Sequence, residues 1–233
     1  EIKDQFVELF HKNSSALKEG LPDFFNAHRE KALEVFKEHG IPTKKMEKYK
    51  YTDLNDVFEK DYRHYIQPKT IDFDLNDIFR CDVPELDTQV ILLLNGWYYR
   101  TNEKLRELPG GAIVGSLREA AKHYPEVVKK HYNQYAHSET ESLTALNTAF
   151  AQDGVFFYVP KNAVLEVPVQ IINLLMDEED GMTQHRNLFV LEENSEARLV
   201  VCDHTLSQRH FLSNSVTEIF VDQNARFDVA RIQ

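Results

Sequence analysis

The residues best suited to metal chemistry are a cysteine and two histidines towards the C-terminal end of the sequence. Cys202, Asp203 and His204 are consecutive, and His210 follows closely. On a β-strand, Cys202 and His204 point to the same face about 6.6 Å apart, and thiolate and imidazole groups bind iron or zinc. A stable iron–sulfur cluster needs four such ligands. We therefore expect these residues to serve in packing or at the surface, with Cys202 not a required cluster ligand, and we assign no catalytic, cofactor-binding or metal-binding residue.

Carboxylates give two further candidates. Residues 177–180 are four consecutive acidic residues that could hold a cation weakly through oxygen ligands, but we expect a solvated loop. His185 and Arg186 have no visible nucleophile or carboxylate with which to pair. Asp222 and Asp228 could supply the two carboxylates of a carbohydrate-active enzyme, which stays open as the alternative function.

The basic and aromatic segment 44–51 is typical of a surface that binds single-stranded nucleic acid. Glu47 and Asp53 dilute its charge, and the chain as a whole has a net charge of −11. Binding to nucleic acid requires a basic face that displaces counterions from phosphates. We therefore expect no nucleic-acid partner.

Helices are predicted for most of the first 150 residues. Ile2, Phe6, Phe10 and Leu17 define one apolar face, and a second apolar stripe precedes Gly40. Three more helical signals follow. Capping boxes lie at 116–119 and 138–141, and Pro125 lies where a helix could begin. The longest apolar runs are far shorter than the roughly 20 residues that span a bilayer, so no membrane association is expected.

Strand signals come from turn residues and apolar runs. Asn95-Gly96 separates two apolar runs and predicts a β-hairpin, whose first strand should be covered on both faces. From residue 155 onwards, strand–turn–strand units recur with Asn162, Asn194 and Asn224 in their turns. A period near 30 fits the stacked coils of a β-solenoid, although a meander or a sandwich would space strands similarly. The last coil, at 219–232, should be unpaired and should invite association with a second copy, so a homodimer is a further alternative.

Three motifs resemble the SufD branch of the SufB/SufD family of iron–sulfur cluster assembly proteins. They lie in order at 40–54 (GIPTKKMEKYKYTDL), at 145–171 (ALNTAFAQDGVFFYVPKNAVLEVPVQI) and at 185–197 (HRNLFVLEENSEA). The first departs from the family pattern in having Tyr49 where tryptophan is more frequent, which keeps an aromatic side chain.

The resemblance implies an α+β fold. A mainly helical N-terminal domain with a β-hairpin would occupy 1–150, and the first coils of a right-handed parallel β-helix, truncated at its end, would occupy 151–233. It implies a non-catalytic scaffold subunit of a SufBCD-type complex, with a SufB-like subunit and a SufC-like ATPase as partners. The ATPase-binding helices and a cluster-related histidine would lie beyond residue 233, and an iron–sulfur cluster would be present only transiently in the full complex.

The sequence also lacks a G-x-x-x-x-G-K-[ST] loop for nucleotide phosphates. No export signal is visible at its start. Its two cysteines, Cys81 and Cys202, are far apart, which favours a reduced, cytoplasmic protein over a disulfide-bonded one.

Overall fold

The computed structural model describes residues 2–69, 88–99 and 103–232; Cys81 lies outside these ranges. The first helix, α1 (Ile2–Lys18), buries the predicted apolar face through Phe6, Phe10 and Leu17. Gly20 then turns the chain at φ +65°, a conformation that glycine adopts without strain.

The second apolar stripe forms two helices, where the sequence pattern predicts one. They are α2 (Asp23–Asn26) and α3 (Arg29–His39). Arg29 begins α3, directly after the break between the two helices. Its buried guanidinium donates to the carbonyl oxygens of Ala149 and Ala151, at 2.7 Å each. The Nε of Arg29 also donates to the side chain of Asn26. These bonds satisfy a buried cation that would otherwise be costly.

The remaining α-helices of the described residues are α4 (Asn55–Phe58), α5 (Leu117–His123), α6 (Pro125–His131) and α7 (Ser142–Phe150). The helix start predicted at Ser116 is confirmed, since its hydroxyl accepts from the backbone N–H of Glu119. The reciprocal bond of the capping box is not formed, because the backbone N–H of Ser116 donates to the carbonyl oxygen of Lys104. The capping box predicted at Ser138 is wrong, because α7 begins at Ser142 and the Ser138 hydroxyl donates to Asn133 instead.

The strands of the described residues are two to ten residues long, and the most fully buried are β5 to β9. They are β1 (Arg63–His64), β2 (Gln89–Leu94), β3 (Trp97–Tyr98), β4 (Leu105–Leu108), β5 (Ala112–Ser116), β6 (Val155–Val159), β7 (Val169–Leu175), β8 (Gly181–Thr183), β9 (Arg186–Leu191), β10 (Glu196–Thr205), β11 (Phe211–Ser213), β12 (Val216–Val221) and β13 (Arg226–Ile232).

Three sheets assemble these strands, in the orders β1-β8-β11, β13-β10-β7-β2-β3 and β12-β9-β6-β5-β4. Among β6 to β13 the pairs are parallel and join residues 30 or 32 positions apart, such as Leu199 with Val169 and with Val229. The hairpin β2–β3 is antiparallel, as predicted. Strand β2 also pairs in parallel with β7, so an early strand and a late one lie side by side.

The main core lies between the two five-stranded sheets and contains Ile91, Leu93, Phe157, Phe189 and Leu199 among others. The opposite face of β2 packs Leu92 and Leu94 into a second cluster. The prediction that this strand is covered on both faces is therefore confirmed. A third cluster joins α1, α3 and α7, and a fourth joins α5 and α6 to the strands β6 and β9.

The asparagine turns repeat as predicted. Asn162, Asn194 and Asn224 adopt positive φ angles of 66°, 59° and 57°, which asparagine tolerates better than most residues. Their side chains also form a ladder. Asn194 donates to Asn162 at 3.0 Å, and Asn224 donates to Asn194 at 3.2 Å.

The architecture is thus mixed α+β, with helices first and several sheets after them. The strands β12 and β13 lie at the edges of their sheets, where Ile219 and Val229 are 41% and 47% exposed. None of the described helices is long and apolar enough to cross a membrane.

Candidate functional site

The thiol of Cys202 is enclosed by β-sheet neighbours. Cys202 pairs with Ile172 on one side and with Ile232 on the other. Its Sγ accepts a hydrogen bond from Gln170 Nε2 at 3.4 Å, and Gln170 accepts from Thr88. A fully buried thiol with apolar neighbours and one amide donor is positioned for packing.

Asp203 and His204 do not complete a site with Cys202. Asp203 alternates to the opposite face of β10, where it accepts from Asn173 at 2.7 Å and from Arg231 at 2.7 and 2.9 Å. The buried Nε2 of His204 has no hydrogen-bond partner among the described residues. The cysteine and the two residues after it therefore do not converge on one point.

His185 lies near Asp203 and Arg231 in this polar region. The sequence did not indicate that placement. The residue is 5% exposed, and its Nδ1 has no partner within the described ranges. Burial lowers the pKa of His185 to about 4, while nearby Asp203 acts in the opposite direction. His185 is therefore neutral at pH 7. The repeat period could have indicated the pairing of Asn173 with Asp203, since 30 residues separate them.

His210 lies with the acidic segment and not with Cys202. Its backbone N–H donates to Asp180 at 3.0 Å, and its Nδ1 lies 3.2 Å from the same carboxylate. The backbone N–H of His210 is the largest contribution that lowers the pKa of Asp180. His210 itself is exposed.

The acidic segment is only partly the solvated loop that we predicted. Glu178 and Glu179 are exposed, but the Asp177 side chain is fully buried. Asp177 accepts from Tyr65 at 2.9 Å and from Lys69 at 2.6 Å. Burial alone would raise the pKa of Asp177, yet these hydrogen bonds lower it overall. Asp177 therefore anchors the loop that follows β1, and the prediction is wrong for this residue.

The segment 44–51 is exposed, with Tyr51 89% accessible. Its lysines are largely compensated by carboxylates: Lys44 pairs with Asp53 at 3.1 Å, and Lys48 pairs with Glu141. Lys50 pairs with Glu47 and lies over the Tyr51 ring, 5.2 Å from its centre. This is not the uncompensated basic face that phosphates require.

Asp222 and Asp228, the candidate carboxylate pair, belong to different sheets. Asp222 follows β12, whereas Asp228 lies within β13 and pairs with Arg226 at 3.1 Å. Glycoside hydrolysis requires two carboxyl groups that face each other across a cleft. Neither residue lines the pockets described below.

Arg186 corrects another expectation, since it does have a carboxylate partner. Its guanidinium pairs with Glu218 at 2.9 Å, and both side chains are fully buried. Glu218 follows Arg186 by 32 positions and lies on the strand that pairs with β9, so the repeat period could have indicated this pair as well.

A pocket of about 440 Å³ lies where the end of α1, the segment 66–68, the hairpin β2–β3 and the start of α5 meet. Asp153 lies in its wall and accepts from the Ser116 hydroxyl at 2.8 Å and from the backbone N–H of Arg118 at 3.2 Å. Burial raises the pKa of Asp153. A second pocket of about 360 Å³ lies between α3 and residues 133–139. The residues that line the two pockets come from neighbouring helices, strands and turns. Several of their polar groups bond to one another, as Ser116 does to Asp153 and Ser138 does to Asn133.

In the three described ranges, no group of three or more His, Cys, Asp and Glu side chains is arranged to hold a metal ion. The candidate residues are instead engaged in packing, ion pairs and turns.

Comparison with known families agrees with the motifs. The sequence profile described as SufBD protein N-terminal region matches residues 1–171. The profile described as SUF system FeS cluster assembly, SufBD core domain, matches residues 174–233.

Several curated proteins are similar to the chain. An iron–sulfur cluster assembly SufBD family protein of Pyrococcus horikoshii is 28% identical over 53% of the chain and 28% of its own length. The SufBD family protein ycf24 of Trieres chinensis is 25% identical over 93% of the chain and 47% of its own length. The ycf24 protein of Pyropia yezoensis is 23% identical over the whole chain and 49% of its own length. The chain thus spans about half the length of these two ycf24 proteins, and it belongs to the SufBD family of iron–sulfur cluster assembly proteins.

Proposed function

We propose that the chain is the N-terminal part of a SufD-type subunit that acts as a non-catalytic scaffold in a SufBCD-type complex. The parallel pairing of successive strands at intervals of 30 or 32 residues supports this proposal most directly. Such stacking is typical of a solenoid, which presents a long rigid surface to partners.

The strand stack is proposed to be the start of a right-handed parallel β-helix at 151–233, preceded by a mainly helical domain at 1–150. The asparagine ladder and the in-register pairs support the first assignment. In this arrangement β2 extends the stack from within the helical part, which ties the two parts together.

The scaffold role is proposed because the candidate side chains are used internally. Cys202 accepts from Gln170, Asp177 holds Lys69, and Arg186 holds Glu218. An iron–sulfur cluster is then the cargo of the complex, held transiently with ligands from elsewhere. The buried, unbridged thiol of Cys202 favours a reducing compartment, for which we propose the cytoplasm.

The partners are proposed to be a SufB-like subunit and a SufC-like ATPase. Co-purification tests this directly: the tagged full-length protein is co-expressed with both, and the retained subunits are measured by quantitative mass spectrometry. We expect both partners at fixed stoichiometry in high salt. An unrelated protein with the same tag is the control, and retention of neither partner would refute the proposal.

A further inference from the structure

The carboxylate of Glu218, on strand β12, lies in a buried cradle of donors. Its Oε1 accepts from the backbone N–H groups of Tyr135 and Ala136, at 2.9 and 3.2 Å. Its Oε2 accepts from the backbone N–H of Asn133 at 2.8 Å and from Arg186 Nε at 3.0 Å. Three backbone donors and one guanidinium thus surround a single side chain that is 1% exposed as a residue.

The cradle is fixed by groups that do not depend on Glu218. Arg186 Nη1 donates to Thr148 Oγ1 at 2.8 Å and to Asn147 Oδ1 at 3.4 Å. Its Nη2 donates to Asn133 Oδ1 at 3.2 Å, and the guanidinium lies over the Tyr132 ring, 5.0 Å from its centre. The guanidinium is therefore held in place by the end of α6 and by α7.

The turn itself directs its amides to one point. Asn133 adopts φ +59°, and successive N–H groups in such a turn form a concave anion-binding nest. Ser138 donates to the Asn133 side chain at 3.2 Å, which holds the turn from its other side. Every donor of the cradle precedes residue 187, whereas the carboxylate arrives from residue 218.

We propose that the turn Asn133–Ala136 and Arg186 form a receptor for a carboxylate, and that Glu218 is its tethered ligand. When Glu218 occupies this receptor, it holds strand β12 against the turn that follows α6. Within the described ranges, no other carboxylate pairs with Arg186. An empty receptor would leave a buried guanidinium without its counter-charge, which is strongly destabilising. This inference is independent of the proposed scaffold function.

The receptor presents three backbone N–H groups and the Nε of Arg186 to the two oxygen atoms of a single carboxylate. A free small carboxylate, such as acetate or formate, should therefore replace the missing group in a Glu218→Ala variant. Chloride at equal ionic strength is a single spherical ion that cannot place two oxygen atoms against the two sets of donors, so it should replace the carboxylate poorly.

The test is thermal unfolding of the full-length protein with Glu218→Ala in acetate and in chloride. At acetate concentrations ten times the dissociation constant, we expect Tm to rise by about 1–3 °C relative to chloride. The wild type and Asp222→Ala, which removes a half-buried carboxylate just after the same strand, should show no difference between the two salts. Glu218→Leu, which fills the cradle with an apolar side chain, should also show none.

A second variant keeps the proposal testable if Glu218→Ala does not fold in chloride. Glu218→Gln has nearly the same shape but offers one acceptor and places an NH₂ group against the donors. We expect the amides of Asn133, Tyr135 and Ala136 to exchange hydrogen at least tenfold faster in this variant. If Glu218→Ala is unfolded in chloride, acetate should restore its folding. Unchanged exchange in Glu218→Gln, or absence of any acetate effect on Glu218→Ala, would overturn the proposal.

Discussion

His64 gives the most quantitative prediction on the pH dependence of stability. Its ring packs edge-on against Phe6, with 5.6 Å between centroids, in the cluster that joins the helices to β1. Burial lowers the pKa of His64 from 6.5 to about 4, and nearby Asp61 opposes this only weakly. The histidine is therefore neutral in the folded protein at all pH values well above 4.

The sign follows from proton linkage. Between pH 6.5 and pH 4 the unfolded chain binds a proton at His64 that the folded chain does not, so stability falls as the pH falls through this window. At pH 5 the stronger proton binding of the unfolded chain lowers the free energy of unfolding by about 2 kcal/mol, and almost none of this loss is present at pH 7. Stability above pH 6.5 is unaffected by this group.

The perturbation is His64→Phe, which keeps an aromatic ring against Phe6 and removes the titration. Urea unfolding at pH 7 and at pH 5 gives the loss of stability for each protein. We expect the wild type to lose about 2 kcal/mol more than the variant. His123→Gln, which changes an exposed histidine, should retain the wild-type pH dependence. The reasoning is refuted if His64→Phe loses as much stability between the two pH values as the wild type.

Three further predictions concern the strand stack and its partners. Asn194→Ala should destabilise by about 2 kcal/mol because it strains a positive φ and breaks the ladder, whereas Asn194→Gly should lose only about 1 kcal/mol; equal losses in urea unfolding would contradict the turn argument. Cys202→Ser in the full-length protein should leave restoration of iron–sulfur enzyme activity normal, and loss of activity with unchanged folding and partner binding would show that the thiol has a chemical role. Residues 1–233 alone should not retain the SufC-like ATPase in a pull-down, and retention equal to that of the full-length protein would disprove this.

Local signals predicted the turns and the strands well. Asn95, Gly96 and the three repeated asparagines all adopt positive φ angles. Their positions could be predicted because few other residues tolerate that conformation. The Ser116 hydroxyl caps its helix because its partner, the backbone N–H of Glu119, lies one turn away on the same helix. The Ser138 box fails because a tertiary partner, Asn133, takes the hydroxyl.

The polar interior was much harder to predict. Arg29 reaches carbonyl groups about 120 residues away, and Glu218 reaches amides more than 80 residues away. Composition and periodicity describe neither contact, since both depend on how helices and strands pack in three dimensions. The burial of Asp177 was missed for the same reason, because its partners Tyr65 and Lys69 precede it by more than 100 residues.

The most direct test of the proposed scaffold function is genetic complementation. The full-length protein is expressed in a strain that lacks its SufD-type subunit, and the activity of an iron–sulfur enzyme is measured in cell extracts. The account predicts that activity is restored, and that it is restored equally by a variant with Cys202→Ser. Failure of the well-folded wild-type protein to restore activity, although it is produced at the normal level, would contradict the account.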